Sequence, residues 1–185
     1  MRFFALFSFV SISLFAENWP GWRGPNGDGV SSEKDIPVKW SRTENIAWKT
    51  AIPGKGLSSP IIWDDRVFLT TCLPNKEERI LMCLDRSNGK VLWQTVVVKS
   101  PLETLHRLNS HASSTPATDG KLVFVTFLKV GGRKVPAPNV STPRLITPGT
   151  ILVAAYDMEG EKKWSVEIGD FISAHGFNAC PVLSK

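Results

Sequence analysis

The groups best suited to chemistry in this chain are its imidazoles, carboxylates, hydroxyls and thiols, and their spacing limits what each can do. His111 lies five residues before Pro116, and His175 lies six before Pro181. Each proline heads a short apolar run, so both imidazoles precede equivalent strands and face one end of any channel those strands line. Such a pair can ligate a metal or contact a ligand. The preferred reading is plainer: each ring is taken up by a hydrogen bond to the backbone of the neighbouring blade. His106 has no such landmark and stays unplaced. Asp85 and Asp157 suggest an acid–base pair. Each, however, opens a repeated Asp…Gly turn, where a carboxylate accepts from its own turn's N–H groups. Ser58, Ser59, Ser113 and Ser114 lack the setting of a strained nucleophile and read as turn residues leading into strands. The Gly-rich stretch Arg23–Gly29 has no Gly-Lys-Ser/Thr and precedes no helix, so it is not a phosphate loop. No residue is assigned a catalytic or metal-ligating role, and cofactor-binding residues are left open.

Three cysteines remain: Cys72, Cys83 and Cys180. None stands in CxxC or Cys/His spacing, so no zinc site is indicated. Cys72 and Cys83 flank a hairpin and are candidate cross-strand neighbours, so their disulfide state is left to geometry. The net charge of +5 arises from 22 basic and 17 acidic residues that are scattered rather than striped. The densest basic clusters are pairs such as Lys162-Lys163, which gives no support to a nucleic-acid surface. Asn139-Val140-Ser141 matches a glycosylation sequon, a pattern that would mean little were the protein bacterial.

These residues are positioned by a repeat. Ser58-Ser59-Pro60 is followed by Val67, Phe68 and Thr70, at seven, eight and ten residues after the proline. Ser114-Thr115-Pro116 is followed by Val123, Phe124 and Thr126 at the same distances. Both segments close on a second shared motif. It runs Leu84-Asp85…Gly89…Trp93 in the first and Tyr156-Asp157…Gly160…Trp164 in the second, with Gly four residues before Trp in both. The pattern predicts four antiparallel strands per unit. In the first unit they are Pro60–Trp63, Arg66–Thr71, Ile80–Leu84 and Val91–Val98. In the second they start from Pro116 and continue as Leu122–Phe127, Ile151–Tyr156 and Lys162–Ile168. Gly supplies the positive φ of each closing turn. One four-stranded sheet cannot bury both of its faces, so each unit needs a neighbour, and the recurrent Trp is the natural filler between units. Asn45–Lys49 reads as the last strand of a preceding unit, and Asn178–Leu183 as the first strand of a following one. The insertion Lys129–Gly149, with four prolines, reads as a loop outside the core.

The expected fold is therefore all-β: a β-propeller of four-stranded antiparallel blades, incomplete, with about two blades plus flanking strands. The blades are placed at about 58–98 and 113–168, with the start of a third from 178. Met1-Arg2 followed by a run of 14 mostly apolar residues ending at Ala16 is shorter than the roughly 20 needed to span a bilayer. It reads as a signal peptide over 1–16, followed by an N-terminal extension over 17–44. The expected product is exported, periplasmic or extracellular, with no transmembrane span after signal removal. Closing a propeller takes roughly four to eight blades. The chain is thus read as an N-terminal fragment whose open blade faces should associate.

The motif Leu84-Asp85…Gly89-Lys90…Trp93, with Tyr156-Asp157…Gly160…Trp164, resembles the tryptophan-docking motif of the pyrroloquinoline-quinone-like (PQQ-like) β-propeller repeat proteins. Asn18-Trp19-Pro20-Gly21-Trp22-Arg23-Gly24-Pro25 is similar to the start of mature secreted members from bacteria such as planctomycetes. So is Trp40-Ser41…Asn45-Ile46-Ala47-Trp48-Lys49. The resemblance covers nearly all of the chain after the leader. It implies one of two roles. The first is a non-catalytic binding or scaffold module of the cell envelope with a protein partner, similar to the outer-membrane assembly factor type of propeller. The alternative is a fragment of a PQQ-dependent quinoprotein dehydrogenase holding PQQ and calcium at the propeller's centre. That branch carries an adjacent Cys-Cys pair, which this sequence lacks. No calcium-binding carboxylate cluster can be placed either, so no cofactor is evident and the scaffold reading is preferred.

Overall fold

In a computed structural model, residues 16–184 are described, apart from 35 and 139. The leader up to residue 15 and the sequon's Asn139 therefore lie outside the described residues. The chain forms two four-stranded antiparallel sheets and one small hairpin. The first sheet runs in chain order: β1 (Ile61–Trp63), β2 (Arg66–Leu73), β3 (Glu78–Asp85) and β4 (Val91–Lys99). The second contains β5 (Ala117–Thr118), β6 (Leu122–Val130), β9 (Gly149–Asp157) and β10 (Lys162–Phe171). The hairpin pairs β7 (Val135–Pro136) with β8 (Leu145–Ile146). No α-helix occurs among the described residues, and none of their helices is long and apolar enough to cross a membrane.

Local chemistry explains the turns. The β1–β2 turn needs a positive φ at Asp64, and the β5–β6 turn needs one at Gly120, the equivalent repeat position. Val, Phe, Thr and Leu dominate the strands between, as expected of half-buried pleated surfaces. The core lies between the two sheets: Ile61, Phe68, Leu81 and Cys83 face Val123, Val125, Phe127 and Tyr156. A lone blade would leave these side chains in water, so the two blades form one folding unit.

Two expectations change, and one question left open is decided. Asn45–Lys49 and Asn178–Leu183 lie in no strand among the described residues. The 129–149 insertion is not all outside the core: Ile146 is fully buried, and the adjacent Thr147 accepts from Thr104 N–H at 2.6 Å. An apolar residue at a hairpin's end folds it down onto the blade. Finally, Cys72 pairs with Arg79 and Cys83 with Phe68, so the two thiols stand four rungs apart. That is roughly 13 Å at the usual strand rise, beyond disulfide reach. All three cysteines are free. Burial raises the Cys72 thiol pKa and pushes Cys83 up to about 12. At pH 8 a thiol-specific reagent should therefore label only Cys180 rapidly, with Cys72 and Cys83 reacting on unfolding. Three fast thiols in the native protein would contradict this packing.

Candidate functional site

The residue just before each strand-leading proline occupies one position of the repeat: Ser59, Thr115 and Cys180. The structure joins the three in series. Ser59 N–H donates to Thr115 Oγ1 at 3.0 Å, and Thr115 N–H donates to Cys180 Sγ at 3.2 Å. A parallel series links the shared threonines. Thr70 Oγ1 donates to Ser114 O, and Thr126 Oγ1 donates to Ala179 O, each reaching the carbonyl two residues before the next unit's proline. Each blade thus ties its second strand to the leading turn of the next. Burial strengthens these bonds, because an unmet carbonyl there would cost about 1–3 kcal/mol.

This girdle borders a cavity of about 630 Å³ lined by Ser59, Thr115 and Cys180, the loops before the inner strands, and Trp22. It is the axial face of the propeller. The N-terminal segment crosses the inner strands beside it. Trp19 exchanges two backbone bonds with Ile62 of β1, and Pro20 O accepts from Thr118 N–H of β5 at 2.8 Å. The segment 17–44 therefore begins as a bridge between blades rather than as a free extension.

The structure separates the two histidines that the spacing paired. His111 Nε2 bonds Glu103 O at 2.9 Å within its own linker, a structural use. His175 instead faces His106, ring centroids 5.9 Å apart with 39° between planes, and both line the axial cavity. The pairing depends on contacts that no local pattern announces: His106 N–H and Asn109 Nδ2 both donate to His175 O, at 3.3 and 2.7 Å. Ser113 is bound to Asn109 and Ser110, and Ser58 to Thr70 backbone. Neither serine contacts a general base.

Asp85 and Asp157 lie on separate turns. Asp85 Oδ1 accepts from Ser87 and Asn88 N–H, and Asp157 Oδ1 from Glu159 and Glu161 N–H. The Ser87 side-chain and backbone bonds hold Asp85 below its ordinary pKa, and the Lys163 ammonium at 2.7 Å does so first for Asp157. Both carboxylates stay ionised and act on turn geometry.

These turns are the seats of the tryptophans. Trp48 Nε1–H donates to Arg86 O at 2.7 Å, and Trp93 Nε1–H donates to Met158 O at 2.9 Å. In each case the acceptor follows the turn's aspartate. Each ring lies on the turn's glycine. A Cβ at Gly89 would come within 2.3 Å of the Trp48 ring, and one at Gly160 within 2.7 Å of the Trp93 ring. Gly89 and Gly160 have φ of 72° and 87°. The same glycine therefore serves turn and seat, and any side chain there would fail twice. Trp48, from the segment before the first blade, thus docks on that blade's closing turn, and Trp93 of β4 docks on the closing turn of the second blade.

The family model for outer membrane protein assembly factor BamB matches residues 30–169, which include both docking motifs. The chain belongs to this family. Among curated proteins, nothing matches it. The BamB-family fold is a PQQ-like propeller repeat, so a quinone–calcium pair has to be weighed against the residues of the axial cavity. Its lining holds no Asp or Glu for a calcium ion and no Lys or Arg for a quinone's carboxylates. No group of three His, Cys, Asp or Glu among the described residues is placed to hold a metal. The described residues that line this cavity supply no ligand set for that pair.

Proposed function

We propose that the protein is a non-catalytic binding module of the cell envelope that docks another polypeptide. The observation that carries this reading is the outer strand of the second blade. β10 is a sheet edge, and Trp164, Val166 and Ile168 on it are 42%, 48% and 61% exposed at alternate positions. An apolar stripe beside unpaired strand backbone is a surface that takes up polypeptide by packing and strand addition. Membership of an assembly-factor family agrees with that use. The short apolar run after Met1-Arg2 reads as an export signal, which supports a role in the cell envelope.

A photo-crosslinking residue at Val166 should give a discrete adduct in cells, and one at exposed Asp119 should not. Absence of an adduct at Val166 would contradict the docking role. Addition of PQQ, calcium and an alcohol should give no dye reduction, and sustained turnover would replace this reading with the dehydrogenase one.

A further inference from the structure

The imidazole pair on the axial face has a polarity set by one backbone contact. Leu108 N–H donates to His106 Nδ1 at 3.2 Å. An amide can only donate, so Nδ1 holds the lone pair and Nε2 carries the proton of the neutral ring. This is the reverse of a metal-ligating histidine, whose second nitrogen donates its proton to a carbonyl or carboxylate while the other offers a lone pair to the ion. His106 therefore presents a donor, not a ligand.

Among the described residues, His106 Nε2 and the His175 ring have no hydrogen-bond partner, nor do the side chains of Ser59 and Asn178 that line the same cavity. The two ring centroids lie 5.9 Å apart, so both imidazoles border the same part of the cavity. No carboxylate lines the cavity to repel an anion, and the chain carries a net charge of +5. Trp22 and Leu108 add apolar wall beside the imidazoles. Polar groups converging in an otherwise apolar cleft are the usual composition of a small-ligand site.

We infer that this cavity binds a carboxylate with an apolar body, the carboxylate held by His106 and His175 and the body lying on Trp22 and Leu108. The acid is either a free small molecule or the C-terminal end of a chain, and the shared chemistry is the same. This site is separate from the β10 stripe, so either can fail without the other.

Calorimetric titration of the full chain with 4-methylpentanoate, N-acetyl-leucine and N-acetyl-leucinamide tests it. Both acids should bind, and the amide should bind at least about tenfold more weakly, the scale of one charge-assisted hydrogen bond. The tighter of the two acids identifies the source, chain end or free acid. His175→Phe keeps a ring and removes the N–H groups. It should weaken acid binding about tenfold or more while leaving the thermal melt unchanged, and Asn178→Ala should weaken it less. Equal binding of acid and amide, no binding of either acid to the folded chain, or wild-type affinity in a folded His175→Phe variant would overturn the assignment.

Discussion

Trp93→Ala should destabilise the protein by about 3–5 kcal/mol, the range for truncating a large packed aromatic, whereas Trp164→Ala should cost only about 1 kcal/mol. The two residues hold the same place in the repeat and differ only in what they meet. Trp93 lies 5.9 Å from Phe68, rests on Gly160, and gives its indole proton to Met158 O. Trp164 has the equivalent partner in its own blade, Phe124 at 6.1 Å, but no turn beneath it among the described residues and no acceptor for its indole. Its 42% exposure follows from that. Removing Trp93 opens the inter-blade core and takes one of two donors from the Met158 carbonyl, which keeps Arg66, while removing Trp164 takes away area that is half in water already. Urea melts of both variants measure the difference. Equal costs would mean that the tryptophans stabilise their own blades and do not join one blade to the next.

Arg79→Met should be as damaging, at about 3–5 kcal/mol, because it leaves one member of a buried ion pair without its partner. The Arg79 and Glu103 side chains are 0% and 3% exposed and 2.6 Å apart. Arg79 also donates to Ser100 O at 2.6 Å and Pro101 O at 3.0 Å. Only its Nε lacks a partner. The guanidinium at the start of β3 therefore fixes the start of the linker that runs into the second blade. That linker carries His106, Asn109 and His111, so the pair also sets the axial face. Arg79→Met/Glu103→Leu removes both charges and should regain at least about 2 kcal/mol of the loss, since apolar replacement of a buried pair is often neutral. A single-variant cost below about 1 kcal/mol in urea would show that Glu103 finds water instead.

How much of this was legible in the sequence depends on whether a residue's partner recurs with it. Asp85, Gly89 and Trp93 repeat as Asp157, Gly160 and Trp164, so their turn and packing roles could be read from spacing alone. The second role of the glycines could not, because it needs the neighbouring blade's ring lying on them. Thr70 and Thr126 were visible as a coincidence of spacing, but the carbonyls they meet lie 44 and 53 residues further on. The alignment of Ser59, Thr115 and Cys180 before their prolines was in plain view. A hydroxyl on Thr115 and a thiol on Cys180 hid the shared use of these two side chains as acceptors for the preceding unit's N–H. Arg79 occurs once, at the strand end where the other blade carries its insertion, so no repeat pointed to it. His106 went unplaced for a related reason: its contact with His175 runs through backbone carbonyls, which leave no mark on residue type.

The docking of one blade on the next is tested most directly by hydrogen exchange at the indole N–H groups, followed by NMR and assigned with single Trp→Phe variants. Trp48 and Trp93 donate to Arg86 O and Met158 O, so their indole protons should exchange slowly, at rates near those of core strand amides. The Trp164 proton should exchange as fast as in an unstructured peptide. Exchange at Trp93 as fast as at Trp164 would contradict the docked arrangement of the two blades.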